Sequence, residues 1–359
     1  MTSRPTPRPG IMDIAPYIGG EAKAAPGQRL LRLASNEGAY GPPPKVVEAL
    51  RTYLPELHRY PDGNCTELRH ALAQKHNTVS DRIVCGAGSD ELIGLLTRAY
   101  AGSGDEVLFS QYGFLMYAIA AKACGATPVM APEGSDLCAN VDALLAAVTP
   151  RTKVLFLANP NNPTGSILPK SEIARLQAGL RPDIVLVLDA AYAEFVTGGS
   201  YSAGDELVDN GNVVVLRTFS KIYALAGPRL GWAHCHEEIA GVLNRVRGPF
   251  NVPAVAQVAG LAALSDDAFV HHAHHENAKV KAAFEEKLKA LGLKTYPSGG
   301  NFILIQFGPR AEDIRLALKD RGILVRQMGA YKLPEHLRIT IGTAEEMDLV
   351  AAALKDILA

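Results

Sequence analysis

Residues 183–192 read DIVLVLDAAY: five apolar side chains without a polar break, closed by a carboxylate, Asp189. No in–out alternation is present, so a strand here is expected to be covered on both faces. The same texture recurs at 82–88 (RIVCGAG), 105–110 (DEVLFS), 127–132 (TPVMAP), 152–160 (TKVLFLANP), 212–220 (NVVVLRTFS) and 231–235 (GWAHC). Helical patterns such as SDELIGLLTRAYA (89–101) and YGFLMYAIAAKACG (112–125) follow most of these runs. Continuous apolar strands alternating with helices predict an α/β fold whose large domain has a mostly parallel sheet of about seven strands.

After residue 250 the texture changes. A polar helical pattern over roughly 266–290 precedes LKTYPSGGNFILIQFG (293–308), RGILVRQMG (321–329) and HLRITIGT (336–343), with helical patterns at 311–321 and 344–357. This predicts a smaller α+β domain. The expected division is a large domain over 36–248, a small C-terminal domain over 249–359, and an N-terminal arm over 1–35 that is too short to fold alone. The arm is expected to lie against the small domain or a partner subunit.

The 359 residues carry a net charge of −1, with 36 basic and 37 acidic side chains. Without a basic excess, nucleic acid is not an expected partner. The five cysteines are scattered and form no CxxC pair, which fits free thiols rather than zinc or disulfides. No apolar run approaches the ~18 residues of a membrane span. The proline-rich start, MTSRPTPRPG, lacks the apolar segment of a signal peptide, so a cytoplasmic location is expected. His271, His274 and His275 share a helical face, but the surrounding helix is strongly polar and a solvated face is the expected reading; no metal site is expected.

In sheets of this kind ligands bind beyond the carboxyl ends of the strands. Five strand ends bring polar residues to one crevice. After RIVC come Gly86 to Asp90, after VLFS come Gln111 and Tyr112, and after VLFLA comes NPNNPTG (159–165). Asp189 to Tyr192 follow IVLVL, and Thr218 to Lys221 follow VVVLR. The small-residue turn at Ser89 fits a simple helix cap or an anion cradle of backbone N–H groups. Ser220 and Arg229 are in reach of the same anion. Lys221 fits an ordinary loop lysine or a desolvated amine that attacks a carbonyl. Asp189 fits an N-cap or the charge partner of a protonated ring nitrogen. Tyr112 fits a core aromatic or a stacking surface, and Asn162 a plain turn or a donor to a ring oxygen. Phosphate cradle, lysine, aspartate, stacking ring and asparagine together describe the contacts of pyridoxal 5′-phosphate (PLP).

In LASNEGAYGPP (33–43), RYPDGNCTELRHALA (59–73), GAGSDE (86–91), NPNNPTG, LDAAYAEF (188–195), TFSKIYALAGPRLGW (218–232), GILVR (322–326) and LRITIGT (337–343), the chain resembles the histidinol-phosphate aminotransferase family of fold-type I PLP enzymes. The landmarks span nearly the whole chain in order. The resemblance implies that Lys221 forms the Schiff base and that Asp189 pairs with the ring nitrogen. It implies that Asn162 and Tyr192 bond the ring hydroxyl, that Tyr112 stacks on the ring, and that Ser89, Asp90, Ser220 and Arg229 surround the phosphate. Tyr60 is implied to reach that phosphate across a homodimer interface. Arg338, Arg326 and Tyr17 are implied to bind the acidic ends of substrate, with histidinol phosphate and glutamate/2-oxoglutarate as the exchanging pair. Gly38-Ala39 stands where the family often has Asn-Pro near the substrate entrance, which bears on substrate breadth. Rival expectations on the same frame are an aromatic amino-acid aminotransferase and a threonine-phosphate decarboxylase. A PLP-binding transcription regulator would need an additional DNA-binding domain, for which the ~35 residues before the fold are too few.

Overall fold

The structure, a computed structural model, describes residues 5–20, 30–196 and 198–359. The remaining residues of the expected arm, 1–4 and 21–29, lie outside the described residues, as does 197.

The chain opens with β1 (Leu31–Leu33), α1 (Pro44–Tyr53) and α2 (Thr66–Lys75). The alternation read from the sequence follows: β2 (Ile83–Gly86), α3 (Ser89–Tyr100), β3 (Glu106–Ser110), α4 (Leu115–Cys124), β4 (Thr127–Ala131) and α5 (Val141–Ala146). It continues through β5 (Thr152–Ala158), α6 (Lys170–Gly179), β6 (Val185–Asp189), β7 (Val213–Thr218), β8 (Gly231–Cys235) and α7 (Glu237–Val246). The C-terminal part holds α8 (Ala254–Leu264), α9 (Asp267–Ala290), β9 (Lys294–Thr295) and β10 (Phe302–Gln306). It ends with α10 (Ala311–Asp320), β11 (Ile323–Gln327), β12 (His336–Thr340) and α11 (Ala344–Leu358).

Seven strands form one sheet in the order β2-β8-β7-β6-β5-β3-β4. Only β8 runs against its neighbours. Every residue of β2, β3, β6, β7 and β8 is buried, as unbroken apolar runs require when helices cover both faces. The five-stranded sheet runs β1-β11-β12-β10-β9. Its first strand comes from near the chain start: Leu31–Leu33 lies parallel to Ile323–Val325. Its core is built from α9, α10 and α11 residues such as Phe284, Leu318 and Leu354, all fully buried. α11 starts on a capping box, in which the Thr343 hydroxyl and the Glu346 carboxylate satisfy each other's backbone N–H groups. α8 packs on α1 and α2. No helix among the described residues is long and apolar enough to cross a membrane.

One close approach ties the sheet to the first turn of α3. A Cβ on Gly231, the first residue of β8, would collide with the backbone of Gly88 and Ser89. Because both contacts are backbone, no rotamer change relieves them. Gly231→Ala is therefore expected to lose about 1–3 kcal/mol by overpacking. It should also displace the start of α3. Urea unfolding would check the first, and phosphate-ester affinity the second.

Candidate functional site

The carboxyl ends of β2, β5, β6 and β7 and the facing strands β11 and β12 enclose a cavity of about 290 Å³. Every site residue expected from the sequence borders it except two, Tyr60 and Tyr112.

At the β2 end, Gly88 takes φ +87 as the N-cap of α3 and leaves the cap position without a side-chain bond. Arg229 folds its guanidinium over Gly88, where a Cβ would strike Nη2. Arg229 Nη1 donates to Ser220 Oγ at 3.3 Å, and Nη2 to Asp90 Oδ2 at 3.3 Å. Behind the turn the Glu91 carboxylate accepts from Ala87 N (2.6 Å) and Asn251 Nδ2 (2.7 Å) and fixes the loop. Free N–H groups, two hydroxyls and a guanidinium thus converge on one spot, an anion cradle.

Asp189 ends β6 with 6% of its surface exposed. Its Oδ2 accepts from the Tyr117 hydroxyl at 2.8 Å and its Oδ1 from Ala191 N at 3.3 Å. No cation forms a salt bridge with it among the described residues, and burial raises its pKa to about 6. The Lys221 amine donates to the carbonyls of Ser35 and Asn36, each at 3.4 Å, and sits 5.7 Å from the Tyr192 ring centre. Burial first, and Arg338 second, lower its pKa to about 8. The Tyr192 hydroxyl accepts from Asn36 Nδ2 at 2.8 Å, which leaves its own proton to donate.

On the facing side, Arg338 donates from Nη1 to Asn162 Oδ1 and from Nη2 to Ala34 O (2.9 Å), above the Phe302 ring. Its Nε is buried without a protein partner among the described residues. Arg326 donates to Ile18 O at 2.7 Å and lies over Tyr17. Arg326 is paired with Arg338 across the β11–β12 register, so two cations face one space.

One expectation needs correction, and two further positions lie apart from the cavity. Tyr112 is turned out of the cavity onto the cluster of Tyr296, Leu304 and Met328; the aromatic ring that borders the cavity is Phe114, two residues on. The reason is local: the chain turns at Tyr112-Gly113, and α4 begins after Phe114, so its first-turn face looks inward. Tyr60 is 83% exposed and stacks on Phe250 at 4.8 Å, away from the cavity in a single subunit. Gly38 and Ala39 do not border the main cavity. They line a separate small pocket with Tyr40 and Asn301, where a Cβ on Gly38 would come within 2.5 Å of Ala224 Cβ. Asn36 and Tyr117 also bond to groups of the site, yet the sequence does not single them out: an asparagine and a core tyrosine carry no spacing signal of their own.

The family model "Aminotransferase class I and II" matches residues 28–354. The chain belongs to the class I and II aminotransferases, and within them to the histidinol-phosphate aminotransferase family. It is 61% identical to a histidinol-phosphate aminotransferase of Paramagnetospirillum magneticum, covering 98% of each chain. It is 55% identical to one of Rhodospirillum centenum, covering 99% of each. The structure of histidinol-phosphate aminotransferase from Sinorhizobium meliloti in complex with pyridoxal-5′-phosphate aligns at a TM-score of 0.90 and 29% identity, over 99% of this chain and 98% of that one. The fold is therefore the fold-type I PLP aminotransferase fold, and the family is PLP-dependent. This aminotransferase has donors that fit that cofactor: a cradle for a phosphate, a poised amine, and a buried carboxylate still lacking a cation.

A buried ammonium weakens the apoprotein. The lowered folded pKa of Lys221 means that the unfolded chain binds more protons between about pH 8 and pH 10.4, so stability rises with pH across that window. Lys221→Met is expected to raise the melting temperature of the apoprotein at pH 7. The gain should shrink as pH climbs toward 10. Thermal unfolding across pH checks both, and a gain independent of pH would contradict the desolvated amine.

Proposed function

We propose that this chain catalyses PLP-dependent transamination between L-histidinol phosphate and 2-oxoglutarate, giving imidazole-acetol phosphate and glutamate, a step of histidine biosynthesis. The observation that carries the reading is one cavity with Lys221 and Asp189 on the sheet side and the Arg326–Arg338 pair opposite. PLP supplies an aldehyde and an electron-withdrawing pyridinium ring that acidifies the α-carbon of an attached amine.

The chain's own groups divide the remaining work. Ser89, Ser220, Arg229 and the backbone N–H of Asp90 hold the phosphate. Asp189 keeps a proton on the ring nitrogen by staying ionised beside it. Asn162 and Tyr192 hydrogen-bond the ring hydroxyl, and Phe114 takes the stacking role that the sequence assigned to Tyr112. Lys221 Nζ, neutral in a useful fraction near pH 8, takes the proton from the substrate α-carbon. Arg338 binds the α-carboxylate of glutamate and, with Arg326 and Tyr17, the phosphate of histidinol phosphate. A dianion uses two guanidinium groups better than one, since each charge-assisted bond adds roughly 1.5–3 kcal/mol.

The working unit is a cytoplasmic homodimer with shared sites. Support comes from exposed Leu54, Leu57, Tyr60 and Phe250, which put apolar surface on the face that carries Tyr60. Within each subunit, residues 36–248 form the cofactor domain and 249–359 the substrate-side domain, to whose sheet β1 adds a strand.

Histidinol phosphate, tyrosine, phenylalanine and threonine phosphate, each offered with 2-oxoglutarate, test the assignment. Histidinol phosphate should have the highest kcat/KM. Faster turnover of the aromatic donors would replace the assignment with an aromatic aminotransferase, and carbon dioxide from threonine phosphate with the decarboxylase. Arg326→Ala should raise KM for histidinol phosphate about tenfold or more, the size of one charge-assisted bond, with a much smaller effect on glutamate. Arg338→Ala should impair both. Mixing inactive Tyr60→Ala with inactive Lys221→Ala subunits should restore activity, because one hybrid site keeps both residues. No restoration after confirmed subunit exchange would contradict a site shared between subunits.

A further inference from the structure

Beneath the cavity, Tyr117 on α4 points its hydroxyl at Asp189 and at no other described side chain. Its ring is fully buried and held on three sides: flat against Phe156 (4.6 Å, 5°), and edge-on to Phe109 and Phe114 (both 5.9 Å). Phe114 itself borders the cavity. The Asp189 carboxylate is therefore fixed by two donors, one per oxygen, from α4 and from the backbone of Ala191.

We propose that Tyr117 is a positioning residue for the cofactor: its hydroxyl, clamped by Phe156, orients the Asp189 carboxylate and keeps it ionised for the ring nitrogen. This rests on the PLP reading above. An ordinary structural tyrosine would need only some acceptor for its hydroxyl. Here the acceptor is the cavity-facing carboxylate that lacks a cation, so the bond acts on the site's least satisfied charge.

Burial and the neighbouring carboxylate hold the Tyr117 pKa well above its usual value, so the hydroxyl stays a donor throughout the working pH range. The bond also opposes the burial that raises the Asp189 pKa. The other titratable or charged groups that act on Asp189 or feel its charge are Asp90 of α3, Lys221 after β7, and the tyrosines 192 and 201; Tyr331 acts on Tyr117. None of these can replace the Tyr117 bond, since none is hydrogen-bonded to the carboxylate.

Tyr117→Phe removes one oxygen and leaves the stack on Phe156 in place. The test follows cofactor retention in holoenzyme of the wild type and this variant, by visible absorbance during dialysis over about pH 4.5–8.5, a window that runs from near the ordinary carboxylate range to above the raised value of about 6 at Asp189. The variant is expected to release PLP about tenfold faster or more, the size of one hydrogen bond to a charged group. Its acid limb should move to higher pH, because an Asp189 without the bond protonates earlier. Phe156→Leu, which loosens the packing but keeps the hydroxyl, should lower the melting temperature and leave the pH limb in place. Retention and pH limb equal to wild type in Tyr117→Phe would overturn the proposal. So would an equal shift of the limb in Phe156→Leu, which would make packing the cause. A wild type that holds no PLP at Lys221, tested by borohydride reduction and mass measurement, would overturn the cofactor reading itself. A wild type that holds PLP beside an unaltered Tyr117→Phe variant would sink only the role of Tyr117.

Discussion

A carboxylate at the end of the most apolar strand in the chain sets the terms for everything around it. Burying an ion in such surroundings costs several kcal/mol unless donors or an opposite charge meet it. Asp189 receives two hydrogen bonds and no salt bridge among the described residues, and its raised pKa records the part of the cost still uncompensated. β6 lies at the centre of the sheet, so this charge is presented at the middle of the cavity floor. The anion cradle lies to one side and the lysine amine above it. A ligand that brings a cationic ring and an anionic tail together answers both needs at once. That is why separate strand ends can be read as one site.

The two sheets are joined by polar groups as well as by apolar contacts such as the Phe302 ring of β10 against Tyr192. Arg338, on β12, reaches the Asn162 side chain at the end of β5 and the carbonyl of Ala34 before α1. Asn36, at φ 54, joins the same seam by donating to Tyr192 and accepting from Thr340 of β12. Asn301 closes it by donating to the carbonyls of Asn36 and Glu37. Two of these contacts, Arg338 to Asn162 and Asn36 to Tyr192, exist only when the two sheets are in place. The geometry of the site is thus a product of the whole chain, from the segment after β1 to the last strand.

How much of this was legible in the sequence depends on how far each signal reached. The seven strands of the large sheet stand where the apolar runs stood, because a strand covered on both faces writes its burial in every residue. Lys221, Asp189 and Asn162 were legible as cavity residues because polar residues at the ends of such strands have few structural reasons to be there. Tyr112 was misplaced because two aromatic residues sit two positions apart at a turn into α4, and only the backbone decides which one looks inward. Tyr117 was invisible as a site residue because its ring belongs to the core and only one atom belongs to the site. Gly38 was read by comparison with a family habit, whereas its neighbour Ala224, nearly two hundred residues away, is what demands the missing side chain.

The lysine shows what the site gives up for its chemistry. An ammonium in bulk water is stable and unreactive at neutral pH. At Lys221 the same group is desolvated, held by two carbonyls and pressed by the Arg338 charge, so its neutral form becomes accessible near pH 8. The folded protein is less stable for it, since the unfolded chain would hold that proton freely. Nothing in the fold requires a charge there; an apolar side chain would fill the space and stabilise it. The cation is tolerated because Asp90 and Glu37 partly offset it from outside the first contacts, and because the cavity admits anions that offset it further. The instability of the empty site and the affinity of the filled one therefore have a single electrostatic origin.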